Sequence, residues 1–299
     1  FVFDYDRVVS GLRLVLWGML KKIVIADRLA VYVNEVYNNI TEYSGIILIV
    51  ATIFFAYQIY CDFSGYSDIA IGVARVFGFD LMQNFRHPYL AHSIRDFWRR
   101  WHISLSTWFR DYVYFPLGGN RVSLGRNMIN LFIVFLVSGL WHGASWTFVI
   151  WGAIHGIYIV IETFISHKKP KQSQSLIMNS LGILLTFLIV NITWIFFRAN
   201  SLDDAIFVIQ HMFNFENGLK GIFVPYINQE LGPTITFAIA ILSIIGLQVA
   251  EFLNEHWKFT DYLGSRWWLR WTCYYTSLIL IILTLSDLSV EQNFIYFQF

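Results

Sequence analysis

Long apolar runs constrain this chain more than any other feature. Residues 44–61, 176–197, 232–252 and 267–285 each form an almost uncharged stretch. Each is close to the length a helix needs to cross the hydrocarbon of a bilayer. Residues 127–165 are long enough for two such helices, broken near Trp141-His142-Gly143. Within lipid every backbone N–H and C=O must be satisfied internally, so continuous apolar runs of this kind fold as helices. Composition agrees, with 57% of the 299 residues hydrophobic and only 14% charged, against about 25% charged in soluble domains. The fold expected is all-α, a polytopic transmembrane helical bundle read as one membrane-embedded domain over 1–299. The formal net charge of +1 gives no global attraction to nucleic acid. Cys61 and Cys273 both lie in apolar runs and read as inert core or lipid-facing thiols, because two cysteines make neither a disulfide framework nor a zinc pattern.

Two segments depart from the simple pattern. Val8 to Val33 is apolar yet carries Arg13, Lys21, Lys22, Asp27 and Arg28. It reads as a tilted or broken helix facing protein, or as a helix in the interface. Residues 62–126 are too polar for ordinary spans and too aromatic for a solvated loop, which suits interfacial or re-entrant helices. Pro116 with Gly118 and Gly119 marks a turn there. The basic residues of 62–126, of 167–175 and of 253–266 fall on one side of the predicted spans, which the positive-inside rule makes cytoplasmic. The connections 34–43 and 198–230 are poor in positive charge and fall on the other side. On that outer side Asp203 to Phe213 reads as a short amphipathic helix, with Ala205, Ile206, Ile209 and Phe213 at helical spacing. The start at Phe1, with no signal-like segment, reads as the C-terminal portion of a longer protein.

A titratable side chain at membrane depth marks a functional site by default. His142 stands between Trp141 and Gly143 at the break in 127–165. A neutral imidazole in a dry site accepts a proton readily, which suits a general base on a hydroxyl or thiol. The competing reading is a structural histidine hydrogen-bonded between helices. His102 follows Arg99-Arg100-Trp101 and precedes Ser104 and Ser106. It could orient a reacting group, polarise an acyl carbonyl or hold His142 in one tautomer, or be an interfacial histidine satisfied by backbone. Arg95, Arg99, Arg100 and Arg110 could grip the phosphates of a coenzyme A thioester or a phosphopantetheine carrier, or contact anionic lipid headgroups. Asp62 and Asp68 flank Ser64-Gly65-Tyr66-Ser67. They could position an arginine or a hydroxyl, but the reading favoured is a helix cap, with Asp68 opening a helix over Ile69 to Phe77. No metal is assigned, because no His-Glu-x-x-His or comparable spacing exists. No bound cofactor is expected.

Lys21 to Asp27, Tyr57 to Ala70, Asn84 to Tyr89, Phe97 to Arg121, Gly139 to Gly156 and the closing Phe294 to Phe299 form a long ordered set. In these stretches the chain resembles the membrane-bound O-acyltransferase (MBOAT) family, most of all its bacterial alginate O-acetylase branch, with the teichoic acid D-alanyl transferases as relatives. The resemblance implies a multi-pass protein of the bacterial inner membrane, with helices around a central tunnel and the family's N-terminal spans missing here. It implies transfer of an acetyl group from a cytoplasmic thioester, either acetyl-coenzyme A or an acyl-carrier protein, to an acceptor outside. The family's intramembrane histidine falls on His142 and its second histidine on His102. The implied partners are an extracytoplasmic acetyltransferase and an exopolysaccharide such as alginate. From the residues alone, a proton-coupled transporter using the buried histidines as a relay stays open beside the enzyme.

Overall fold

The structure is a computed structural model and describes residues 3–168, 176–216, 218–219, 221–257, 265–287 and 294. Lys169, Lys171, Lys220 and Lys258 of the charge count, and residues 295–299 of the closing motif, lie outside these. All regular structure among the described residues is helical. Six helices are long and apolar enough to cross a membrane: α3 (Ile46–Val76), α6 (Leu124–His142), α7 (Trp146–Lys168), α8 (Leu176–Arg198), α10 (Pro233–Trp257) and α11 (Trp267–Asp287). This is a multi-pass membrane protein. The chain divides into two compact units, residues 1–83 with 212–298, and residues 84–211.

In the first unit, α1 (Tyr5–Met19), a π-helical stretch (Leu20–Asp27) and α2 (Arg28–Asn38) form one uninterrupted helical rod. This is the segment whose charges set it apart from the plain spans. It faces protein, antiparallel to α3. Gly11 meets Gly72 and Gly18 meets Gly65. A Cβ on Gly18 would lie 2.5 Å from the Gly65 carbonyl oxygen, and one on Gly65 would lie 2.7 Å from that of Gly18. Gly11 and Gly72 are related the same way, at 2.6 Å in both directions. Two turns separate the glycines on each helix, so they share a face and the two backbones touch.

That close approach brings the rod's charges against the lower half of α3. Lys21 Nζ lies 2.6 Å from Asp68 Oδ2 and donates to Ser64 Oγ at 2.9 Å. Lys22 Nζ lies 2.8 Å from both Asp27 Oδ1 and Asp62 Oδ1. The i→i+5 winding stacks residues five apart, which is how Lys22 reaches Asp27. The expected capping role for Asp62 and Asp68 is therefore wrong. Helix α3 runs straight through both positions to Val76, because lysines from the rod neutralise the carboxylates inside it. Elsewhere in this unit Tyr32, Phe54 and Tyr226 form an edge-to-face cluster, with centroids 5.0 and 5.3 Å from Tyr32. The Tyr60 hydroxyl donates to Glu251 of α10, both buried.

The second unit is built on an antiparallel hairpin of α6 and α7. The helices part at Gly143 to Ser145, where the sequence places the break. A Cβ on Gly152 would lie 2.5 Å from the Phe135 carbonyl oxygen, and one on Gly139 would overlap the Phe148 carbonyl, so the hairpin closes backbone to backbone. The polar-aromatic segment forms two seven-residue helices, α4 (Ile94–Arg100) and α5 (Ile103–Phe109), then a π-helical turn over Arg110–Tyr114. Gly118 and Gly119 take positive φ at the expected turn, and Asn130 Nδ2 donates to the carbonyls of Leu117 and Gly119. The interior is aromatic. Trp101 and Trp194 lie 5.1 Å apart and Trp151 stacks on Trp194 at 6.0 Å. Helix α9 (Leu202–His211) is amphipathic, but it buries Ala205 and Val208 and exposes Ile206, as the following Phe213 is exposed. The buried face is thus rotated from the one the spacing predicts.

Candidate active site

The second unit sets His142 and a further histidine, His155, against Trp151, each with ring centroids 5.0 Å away, and holds His102 close enough to feel charge on His142. His142 is the last residue of α6 and is half-buried. Its Nδ1 lies 2.7 Å from the Ser138 carbonyl, one turn back. A carbonyl only accepts, so the ring proton sits on Nδ1 and the neutral ring carries its lone pair on Nε2. The ring stands edge-on to Trp141 and Trp151, with centroids 5.0 Å away in each case, and to Phe197 at 5.4 Å. These contacts orient the imidazole.

His102 lies at the turn between α4 and α5 with φ +45, a left-handed conformation that a non-glycine residue adopts at a cost of about 1–3 kcal/mol. Asn84 holds it there. The Asn84 carbonyl accepts from Ile103 N–H at 2.9 Å, and its side-chain Oδ1 accepts from Ser104 N–H at 3.2 Å and from Ser104 Oγ at 2.9 Å. The same Oδ1 lies 3.2 Å from His102 Nδ1. Since that oxygen only accepts, His102 also carries its proton on Nδ1. Such a ring offers a hydrogen-bond acceptor at Nε2, which suits a hydroxyl better than a carbonyl. Burial first, and then the charge His142 would carry, hold His102 down to about 3. The folded state therefore favours the neutral ring, whereas the unfolded chain takes up a proton below about 6.5. His102 thus contributes stability that is full above pH 6.5 and lost as pH falls toward 3. Thermal unfolding in detergent across that range should show a shallower loss in His102→Gln; an unchanged slope would mean that His102 is not held neutral.

His155 is fully buried, with both nitrogens occupied. Trp98 Nε1 donates to its Nδ1 at 3.2 Å, and its Nε2 donates to Thr193 Oγ1 at 3.0 Å. Thr193 in turn donates to the Val190 carbonyl at 2.7 Å. This is a structural hydrogen-bond chain joining α4, α7 and α8.

Three of the four arginines have protein partners. Arg95 Nη2 donates to Thr163 Oγ1 at 2.8 Å, Arg100 Nε pairs with Asp96 at 3.0 Å, and Arg110 Nε pairs with Asp111 at 2.7 Å. Arg99 is exposed. Burial works against ionisation of Asp96, but the Arg100 hydrogen bond and charge outweigh it and hold the carboxyl below its ordinary value. No group of three or more metal-ligating side chains occurs among the described residues.

Sequence reasoning missed two anchors. Glu162 reaches from α7 to cap α4, its oxygens accepting from Ile94 N–H at 2.7 Å and Arg95 N–H at 3.0 Å. Glu251 binds Tyr60. Each is the one carboxylate in its apolar run, 146–165 and 232–252. The rule that singled out His142 applies to both. Asn84 had no such signal, because its role arises only where 84–86 meets 100–104.

Comparison with known proteins covers this site. The profile of the MBOAT, membrane-bound O-acyltransferase family matches residues 7–199, which include all three histidines. The chain is 40% identical over 227 residues to the peptidoglycan O-acetyltransferase of Helicobacter pylori, covering 76% of this chain and 42% of that protein. It is 43% identical over 210 residues to the probable alginate O-acetylase AlgI of Pseudomonas aeruginosa, covering 70% of this chain and 39% of that protein. It is 29% identical over 203 residues to the teichoic acid D-alanyltransferase of Bacillus subtilis, covering 61% of this chain and 49% of that protein. The chain thus spans less than half the length of each of these relatives. With a family match that takes in both units and the whole histidine cluster, the chain belongs to the membrane-bound O-acyltransferase family.

Proposed function

We propose that the protein is a membrane O-acyltransferase that moves an acetyl group from a cytoplasmic thioester to a hydroxyl on the outer side, for O-acetylation of an exported polysaccharide. The observation that carries this reading is His142, held by the Ser138 carbonyl in the tautomer that puts the basic lone pair on Nε2. In the reaction, the acceptor hydroxyl oxygen attacks the thioester carbonyl carbon while His142 Nε2 takes the hydroxyl proton. Collapse of the tetrahedral intermediate breaks the C–S bond, and the proton returns from His142 to the sulfur, releasing a free thiol and an ester. His102, with its Nε2 also an acceptor, orients the hydroxyl. Meeting of the two substrates at one fixed imidazole removes much of the encounter entropy.

The donor is acetyl-coenzyme A or an acyl-carrier thioester. Arg99, exposed on α4, together with Arg95, Arg100 and Arg110, forms the basic side that its phosphates approach. The acceptor is an exopolysaccharide, or the serine of an extracytoplasmic acetyltransferase that passes the group on. The site faces the two compartments of the bacterial inner membrane. The relatives named for O-acetylation of alginate and peptidoglycan support this class of reaction.

The test supplies the protein in lipid nanodiscs with labelled acetyl-coenzyme A or acetylated carrier. Free thiol appears only when an acceptor glycan or partner protein is present, and label moves to that acceptor. Proton flux across a vesicle membrane without thioester turnover would overturn the reading in favour of a transporter.

A further inference from the structure

The first unit contains a cavity of about 350 Å³ that the transfer chemistry above does not use. Its walls come from two connections, the one entering α3 and the one between α9 and α10. Glu42, Ser44 and Asn214 supply a carboxylate, a hydroxyl and a carboxamide, while Ile47 and Val224 supply apolar surface. Gly45 makes the closure possible. It takes φ +57, and a Cβ there would overlap the Asn214 carbonyl, so any other residue would hold the two walls apart. Gly218 and Gly221, also with positive φ, present bare backbone to the cavity.

The polar groups are ordered from behind. Tyr43 donates its hydroxyl to Glu35 Oε1 at 3.0 Å, and Asn39 Nδ2 reaches the same oxygen at 3.3 Å. Asn214 Oδ1 accepts from Glu216 N–H at 3.2 Å, which commits the carboxamide oxygen and turns its N–H donors to other use. Phe213 and Phe215, on either side of Asn214, are 68% and 52% exposed. Within this unit, residues 34–43 and 212–230 carry Glu35, Glu42, Glu216 and Glu230 against Lys220, four acidic to one basic, a formal −3. By the charge rule these connections lie on the outer side of the membrane.

We infer that this cavity is a binding site for a neutral saccharide segment, the acceptor glycan of the proposed transfer. The inference rests on the transferase reading for the word acceptor, but not for binding. Alternating donors and acceptors beside apolar and aromatic surface match a sugar ring, which shows hydroxyls at its edge and C–H groups on its face. The size falls at the lower end of the range for small-ligand sites, about 300–1,000 Å³. The sign of the charge selects among glycans: the Glu42 carboxylate in the wall repels a polyuronate, whereas an uncharged or N-acetylated chain is admitted.

Calorimetric titration of the protein in nanodiscs with cellotetraose, chitotetraose and an oligomannuronate tests this. At low salt at least one neutral oligosaccharide binds saturably, and more tightly than the oligomannuronate by about fivefold, the size of one solvent-exposed charge contact. Added salt and the Glu42→Gln variant each shrink that preference, and Ser44→Trp, which fills the cavity, abolishes binding. Absence of saturable binding by both neutral sugars, retained binding in a folded Ser44→Trp, or equal binding of the uronate to wild type would each overturn the inference. Glu42→Gln keeps the test decisive should Ser44→Trp fail to fold. Thioester turnover measured on the same wild-type sample separates the two readings. Turnover without sugar binding removes this site and leaves the transferase, and sugar binding without turnover does the reverse.

Discussion

His142→Ala lowers acyl transfer by roughly 10²–10⁴-fold, the contribution of a positioned general base, and leaves the protein folded in the membrane. The loss of rate follows from removing the only group in the proposed reaction that takes the hydroxyl proton. Retention of fold follows from position. His142 ends α6 and is half-buried, and the hydrogen bond it gives the Ser138 carbonyl is worth about 1 kcal/mol. His142→Gln restores polar volume but not a base near neutral pH, so it stays slow. His155 behaves in the opposite way. It is fully buried and bonded at both nitrogens to Trp98 and Thr193. His155→Ala leaves those partners unsatisfied and reduces the yield of folded protein more than the turnover of what folds. Wild-type turnover in a well-folded His142→Ala would remove the imidazole from the mechanism.

Lys21→Met costs about 3–5 kcal/mol of stability, because it strands a carboxylate inside the helix pair. The Lys21 side chain is 4% exposed and Asp68 20%, with 2.6 Å between their charged atoms. Lys21 also holds Ser64 at 2.9 Å. Methionine keeps the stem's packing and deletes only the charge, so the loss reports the unpaired Asp68. The double variant Lys21→Met with Asp68→Leu recovers most of it, since an apolar pair of similar volume dispenses with the desolvation of both ions. Thermal unfolding in detergent of these two variants and of Asp68→Leu alone measures this as a double-mutant cycle. A single variant as stable as wild type would show that the pair contributes nothing to holding the π-helical stretch of the rod against α3.

The membrane architecture was legible because hydrocarbon demands it residue by residue. The six spans, the hairpin break at Gly143 and the turn at Gly118-Gly119 all follow from local composition. What failed depended on partners distant in sequence. Asp62 and Asp68 resemble caps when read alone, because the lysines that neutralise them lie about forty residues earlier. The π-helical winding at Leu20–Asp27 cannot be seen in a 3.6-residue pattern, so the pairing of Lys22 with Asp27 was hidden as well. Helix α9 shows a subtler limit. Ala205 and Val208 are smaller than Ile206, yet they are the residues packed inside, since contact is set by the neighbouring helix rather than by apolar size. At the site, His142 stood out as a titratable group in an apolar run, and His102 by its place between Arg99-Arg100-Trp101 and the Ser104 and Ser106 pair. Asn84, which fixes the ring of one of them, reads as an ordinary loop residue.

The most direct test is a density map of the protein with a non-hydrolysable acetyl thioester analogue bound. The expected map shows the analogue's carbonyl beside His142, with room for a hydroxyl within about 2.6–3.2 Å of Nε2 and passages from both faces of the membrane reaching that point. An imidazole packed against lipid chains, with the analogue bound elsewhere, would contradict it.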